Sequence, residues 1–280
     1  MQKYKCSLVS LSNPLTLNNK NKISALKTLL KNDFENVLLS DFVFECEKSF
    51  RYSEKEKADE FNSFFKDENI KAVFDISGGD LANGMLEFID YDLIKSNEKM
   101  LFGYSDLTCI LNAVYAMTGV KTYLYQIKNV LNDRSMKRYE SLINFINSQN
   151  NNICKLNYNF IQGSFMQGTA VGGNIRCFSK LIGTKYMPCC KDKIVFLESF
   201  SGGLEKTYSL VFHLKQSGVF DRCNGVLLGT FTEIEKNDSK DELFSMVKNI
   251  LPDIPIAYTD EIGHSENSKC LVIGENYLLK

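Results

Sequence analysis

Lys99-Met100-Leu101-Phe102-Gly103-Tyr104-Ser105-Asp106-Leu107-Thr108 is the stretch on which the fold turns. Met100, Leu101 and Phe102 form a short apolar run of the kind a fully buried strand carries. Directly after Ser105-Asp106, the residues Leu107, Ile110, Leu111, Val114 and Tyr115 fall at helical spacing. A strand passing straight into a helix is one step of a parallel α/β sheet. A serine at that step is held in a sharp turn, its hydroxyl raised off the sheet and facing the first helical N–H groups. This is the geometry of a nucleophile elbow, written as Gly-x-Ser-Asp rather than Gly-x-Ser-x-Gly. The competing reading is an ordinary helix N-cap, for which Ser-Asp is equally suited.

Working outward, strands and helices alternate through the first half. Residues 6–11 read as a strand stopped by Asn13-Pro14, and Ile23, Leu26, Leu29 and Leu30 as a helical stripe. Residues 37–39 give a second strand. Ser53-Glu54-Lys55-Glu56 is a capping box, opening a helix with Ala58, Phe61, Phe64 and Phe65 on its apolar side. An apolar strand over 72–76 breaks at Gly78-Gly79, a short helix follows near 81–88, and 121–124 reads as one more strand. Near-continuous apolar strands between helices predict a parallel sheet covered on both faces. The polar segment 134–151 reads as a helix and linker. Beyond it come Gly168 to Gly173, helices over 175–182, 204–216 and 241–250, and strands at 193–198, 226–228, 254–258 and 270–273. The expected organisation is an N-terminal Rossmann-like α/β domain over 1–130, a helix and linker over 131–160, and a smaller C-terminal domain over 161–280.

Composition narrows the function classes. At 280 residues, with 44% hydrophobic and 24% charged, the chain can bury a sizeable core. Its net charge of -1 and its lack of a basic stripe argue against nucleic acid as a partner. No apolar run reaches the roughly 18 residues of a spanning helix, and the N-terminus lacks the cleavage site of a secretory signal. The nine cysteines, Cys46 among them, are scattered, and Cys189-Cys190 are adjacent rather than spaced C-x-x-C. Free thiols in a reducing cytoplasm fit that placement better than disulfides or zinc. With two histidines, a histidine-rich metal site is not expected either, so we expect neither metal nor cofactor.

A serine hydroxyl needs an adjacent base, usually histidine. His213 lies mid-helix. His264 lies in the polar loop Glu261-Ile262-Gly263-His264-Ser265-Glu266, where functional side chains are commonly presented. A carboxylate that orients the imidazole completes such a set. Glu198 ends the apolar strand Ile194-Val195-Phe196-Leu197, where an acid is costly without a partner. Glu205, Glu261 and Glu266 are its rivals. The elbow offers the backbone N–H of Asp106 to a developing oxyanion, and the turn Ser77-Gly78-Gly79-Asp80 offers others. A dinucleotide-phosphate loop is the competing reading of that turn, but it lacks the G-x-G-x-x-G spacing.

The run Ser77-Gly78-Gly79-(x)3-Asn83, Ile89-Asp90-Tyr91-Asp92-Leu93-Ile94 and Gly103-Tyr104-Ser105-Asp106-Leu107-Thr108 resembles the LD-carboxypeptidase family, which includes the microcin C immunity peptidases. Val171-Gly172-Gly173-Asn174, residues 194–198, Ser217-Gly218-Val219-Phe220-Asp221-Arg222 and Gly263-His264 carry the resemblance along nearly the whole chain. It implies an N-terminal α/β domain, a strand-rich α+β C-terminal domain and a site between them. It further implies a metal-free serine peptidase, usually a homodimer. Nucleophile, base and acid would be Ser105, His264 and Glu198. Gly78, Gly79 and Asp106 would form the oxyanion hole, and Ser77, Asn83 and Asn174 would bind substrate. The substrate class implied is a peptidoglycan-derived peptide cut before a terminal D-residue, or alternatively an aminoacyl-nucleotide antibiotic. A binding protein without turnover is the alternative from another class. Ser77, Ser199 and Tyr125-Gln126 depart from residues common in the family, close to where substrate is expected. Phe160, Phe165 and Phe200 are candidates for an aromatic wall, with a place in the core the simpler assignment of each.

Overall fold

Two six-stranded sheets carry the architecture of the computed structural model, which describes residues 4–45, 53–148 and 150–280. The strands are β1 (Lys5–Val9), β2 (Val37–Leu39), β3 (Ile70–Asp75), β4 (Met100–Gly103), β5 (Thr122–Leu124), β6 (Asn159–Gln162), β7 (Met166–Asn174), β8 (Lys193–Ser199), β9 (Gly225–Phe231), β10 (Ile256–Tyr258), β11 (Leu271–Ile273) and β12 (Asn276–Leu279). The helices are α1 (Lys20–Leu30), α2 (Glu54–Lys66), α3 (Tyr91–Ser96), α4 (Thr108–Thr118), α5 (Lys137–Ile146), α6 (Ile175–Ser179), α7 (Leu204–Gln216), α8 (Thr232–Lys236) and α9 (Lys240–Ile250). The first sheet runs β11-β5-β4-β3-β1-β2, parallel except for β11. The second runs β12-β7-β8-β9-β10-β6, with β7 to β10 parallel and both edges antiparallel.

This is the expected α/β class with two units, but the chain does not divide cleanly at 131–160. After building most of the second sheet it returns to add β11 to the edge of the first. The capping box forms at Ser53 as expected. A 3-10 turn over Ala82–Met85 takes the place of a helix at 81–88, and α6 stops at Ser179. Cys46 lies outside the described residues. The other eight cysteines are free thiols.

Apolar runs become strands here because both faces of each sheet are covered. Across β3, β4 and β5, Phe74, Phe102 and Tyr123 stand in register on one face. Their rings stack with centroids 4.9 and 4.7 Å apart, each pair adding about 0.5–1.5 kcal/mol beyond the area it buries. Helix α4 is apolar nearly all round, and every residue from Thr108 to Val114 is buried. It packs on β4 and β5 of one sheet and on β7 of the other.

That docking fixes the position of the elbow. The buried Asn112 amide donates to the Gly172 carbonyl and accepts from the Gly172 N–H, both at 2.8 Å. Thr108 Oγ1 accepts from the Asn174 N–H at 3.0 Å. Gly173 has φ +146°, and a Cβ there would overlap the Thr108 side chain, so only glycine allows the approach. The end of β7 and the start of α4 are therefore held as one piece.

Candidate active site

The carboxyl ends of β3, β4, β7 and β8 meet the loop that follows β10, the end of a parallel sheet where ligands usually bind. Ser105 leaves β4 with φ +56°, in the left-handed region that a side chain disfavours. It opens a 3-10 turn, Ser105–Leu107, and no side chain caps that turn or α4. The N-cap reading therefore fails, and the strained turn is that of an elbow.

Glu198, near the end of β8, is completely buried. Its Oε2 lies 2.8 Å from His264 Nδ1, and its Oε1 accepts from Asn174 Nδ2 at 3.0 Å. Asn174 and Glu198 are register partners on neighbouring strands, so the sheet itself sets the amide beside the carboxylate. In the tautomer that donates Nδ1–H to this carboxylate, Nε2 is left bare. Asn174 is thus occupied with Glu198 and with capping α6 at the Cys177 N–H. One N–H of its Nδ2 makes neither of these contacts.

Aromatic rings flank the imidazole. Tyr104 meets His264 edge-on with centroids 4.9 Å apart, and Phe200 lies 4.8 Å away at 38°. Tyr104 is buried, its hydroxyl beside Glu198 and Ser268. Burial first, and then the charge of Glu198, raise that hydroxyl well above its ordinary range, so it stays protonated. Phe200 is 54% exposed, which removes it from the core and makes it a wall of the site. Phe165 is equally exposed but sits beyond the opposite end of the second sheet, beside a cavity of about 570 Å³ lined also by Thr169 and Asp192. Phe160 is half-buried against Tyr158.

Ser105 precedes Asp106 and follows Tyr104, so the residue beside the serine is the one that touches the imidazole. No hydrogen bond joins Ser105 Oγ to His264 among the described residues. The rival groups are elsewhere: His213, Glu205 and Glu266 are exposed, and Glu261 is bound by Asn157 and Lys269.

The Asp106 N–H makes no hydrogen bond among the described residues, as an oxyanion donor requires. Its carboxylate is a buried junction rather than a spectator. Oδ2 accepts from Ser12 Oγ at 2.7 Å and from the Ala82 N–H at 2.9 Å, while Oδ1 pairs with Lys180 Nζ at 2.7 Å. Gly78 and Gly79 face this junction through Asn13, whose N–H donates to the Gly78 carbonyl and whose Oδ1 accepts from the Asp80 N–H. Ser77, expected to bind substrate, has its hydroxyl engaged within the protein. It is buried, donating its hydroxyl to Asp75 at 2.8 Å and accepting from the Ser12 N–H. Asn83 is exposed on its 3-10 turn, with no role that the surroundings define. Sequence reasoning passed over Ser12, Asp75, Tyr104, Arg176 and Lys180. Among the described residues, no group of three or more His, Cys, Asp or Glu could hold a metal, and no helix is long and apolar enough to cross a membrane.

Structures of similar shape include those of a self-immunity protein and of a carboxypeptidase. The microcin C7 self-immunity protein MccF, in complex with aspartyl sulfamoyl adenosine, superposes with a TM-score of 0.85 at 24% identity, covering 99% of this chain and 92% of that one. The muramoyltetrapeptide carboxypeptidase of Oxalobacter formigenes gives 0.79 at 17% identity over 98% and 94%. By sequence, MccF of Escherichia coli is 25% identical over 258 residues, 79% of this chain and 74% of MccF. Residues 6–125 match the model of the LD-carboxypeptidase N-terminal domain, and residues 167–279 match that of the C-terminal domain. The chain belongs to the LD-carboxypeptidase family.

Proposed function

We propose that the protein is a serine carboxypeptidase that hydrolyses the amide bond between an L-centre and a terminal D-amino acid in peptidoglycan-derived peptides. The observation that carries this reading is the Glu198–His264 pair, set against Tyr104 at the strained Ser105 turn. His264 Nε2 takes the Ser105 proton as Oγ attacks the carbonyl carbon, a hydrogen bond that tightens once substrate is seated. Glu198 holds the imidazolium that forms. The N–H groups of Asp106 and the Gly78-Gly79 turn receive the oxyanion, where one such donor is worth about 2.7–4 kcal/mol in the transition state. The imidazolium then protonates the departing D-amino acid. Water activated by His264 finally releases the acyl group from Ser105.

A second reading is hydrolysis of aminoacyl-nucleotides. It is favoured by Phe200, whose exposed ring gives the cleft a flat apolar face beside His264, and by the ligand carried by the MccF structure. The test supplies a murein tetrapeptide ending in D-alanine and an aminoacyl-sulfamoyl-adenosine in parallel. We expect D-alanine release by the wild type and none by Ser105→Ala. Cleavage of the nucleotide alone would establish the second reading, and equal turnover by Ser105→Ala would refute both.

A further inference from the structure

Two cations from the second half of the chain enter the oxyanion region, and the chemistry above uses neither. Asn174, the N-cap of α6, holds Glu198. Two residues into the helix, the Arg176 guanidinium donates to the Gly79 carbonyl and pairs with the Asp80 carboxylate. One turn further, at the C-cap, Lys180 Nζ donates to the Asp80 carbonyl at 2.9 Å and to Asp106 Oδ1 at 2.7 Å. The two segments that Lys180 joins are the two halves of the oxyanion hole: the Gly78-Gly79-Asp80 turn and the Ser105-Asp106 elbow. Asp106 is completely buried and the Lys180 side chain is 21% exposed. Burial alone would lower the lysine, but the hydrogen bond and charge of Asp106 outweigh it and hold Lys180 above its ordinary value. It is a fixed cation.

We propose that Lys180 is a positioning residue that sets the spacing of the oxyanion hole, with Arg176 steadying the glycine turn beside it. This rests on the serine-peptidase reading given above. Lys180 touches no reacting atom; it acts through Asp80 and Asp106. A donor displaced by an ångström loses much of its value in a transition state while barely altering ground-state binding. One short helix therefore ties the orienting acid, through Asn174, to the oxyanion donors, through Lys180.

The test uses a fluorophosphonate, which phosphonylates an activated serine and expels fluoride, applied to the full-length protein. The maximal labelling rate and the half-saturating concentration are measured separately, alongside the melting temperature. In Lys180→Met we expect the maximal rate to fall roughly 10- to 100-fold while half-saturation stays within about twofold. Lys180→Arg, which keeps the cation, recovers most of the rate. Lys121→Met, which breaks the exposed pair with Glu275, labels as the wild type does. If Lys180→Met fails to fold because Asp106 is left uncompensated, Asp106→Asn/Lys180→Met removes both charges and restores folding while labelling stays slow. Wild-type labelling rates in Lys180→Met or in the folded double variant would overturn the proposal. So would a folded Lys180→Arg no faster than Lys180→Met. A wild-type protein that takes no label at all would overturn the peptidase reading itself, and this inference with it.

Discussion

His264 Nδ1 lies 2.8 Å from Glu198 Oε2, and that carboxylate is fully buried with its other oxygen bound by Asn174 Nδ2. The carboxylate thus accepts one proton-bearing nitrogen from each side. Its replacement by an amide has a defined consequence. In Glu198→Gln the amide oxygen turns to Asn174, and the amide NH2 then donates to Nδ1. The imidazole proton is driven to Nε2, the atom required as base. We expect turnover to fall by about 10³- to 10⁴-fold with the melting temperature little changed. Steady-state kinetics and thermal denaturation check this together; activity near wild type would remove Glu198 from the mechanism.

Asn174→Ala leaves one Glu198 oxygen buried without a donor and the first turn of α6 without its cap. The expected loss is about 1–3 kcal/mol of stability, read by denaturant unfolding, together with a reduced kcat. A change confined to KM would instead assign Asn174 to substrate binding alone.

Gly263 sets the entry of the loop that carries His264. A Cβ at this position would overlap Thr230 Oγ1, itself a buried hydroxyl without a partner among the described residues. Gly263→Ala is therefore expected to lower the melting temperature and displace His264. Thr230→Ala by itself should cost little, because no hydrogen bond is lost. Thr230→Ala removes the nearest atom but keeps its Cβ, 2.7 Å from the added methyl, so combining the two should recover only part of the stability and activity. A double variant as impaired as Gly263→Ala would contradict the packing argument.

Asp75 ends β3 completely buried, accepting from the Leu11 N–H and from Ser77, with no salt bridge among the described residues. Burial raises its carboxyl from 3.8 to about 6, against the lowering effect of those hydrogen bonds. Between these values the folded protein binds the proton more tightly than the unfolded chain. The contribution to stability is full below pH 3.8 and is lost as pH rises through about 6. Asp75→Asn lacks this component, so it should gain on the wild type as pH rises from 4 to 7. Urea unfolding at both pH values measures the difference, and the opposite trend would refute the assignment.

Much of the architecture was legible because buried parallel strands write themselves as apolar runs ending at glycine, as in residues 72–79 and 100–103. The return of β11 to the first sheet was not, since three apolar residues reveal a strand but not its partner. The edge strands β6 and β12 were missed because half-exposed, partly polar segments carry no such run. Glu198 and His264 could be singled out because an acid at a buried strand end and a loop histidine are rare in this chain. Asn174 and Ser77 were expected to bind substrate; that Asn174 also holds Glu198, 24 residues on, and that Ser77 accepts from the Ser12 N–H, 65 residues back, had no local signal. Asp106 was valued for its N–H alone, because Ser12 and Lys180, which meet its carboxylate, lie 94 and 74 residues away. Phe200 reads as core by residue type, and its exposure depends on a chain reversal after Glu198 that no local signal announces.

The central claim is that the strained Ser105 is a nucleophile activated by His264. The most direct measurement is fluorophosphonate treatment of the native protein, followed by mass-spectrometric mapping of the adduct. The account predicts a single phosphonyl group on Ser105, absent from heat-denatured protein and slowed at least about 100-fold in His264→Ala. Label on another residue, or equal labelling of Ser105 in His264→Ala, would contradict it.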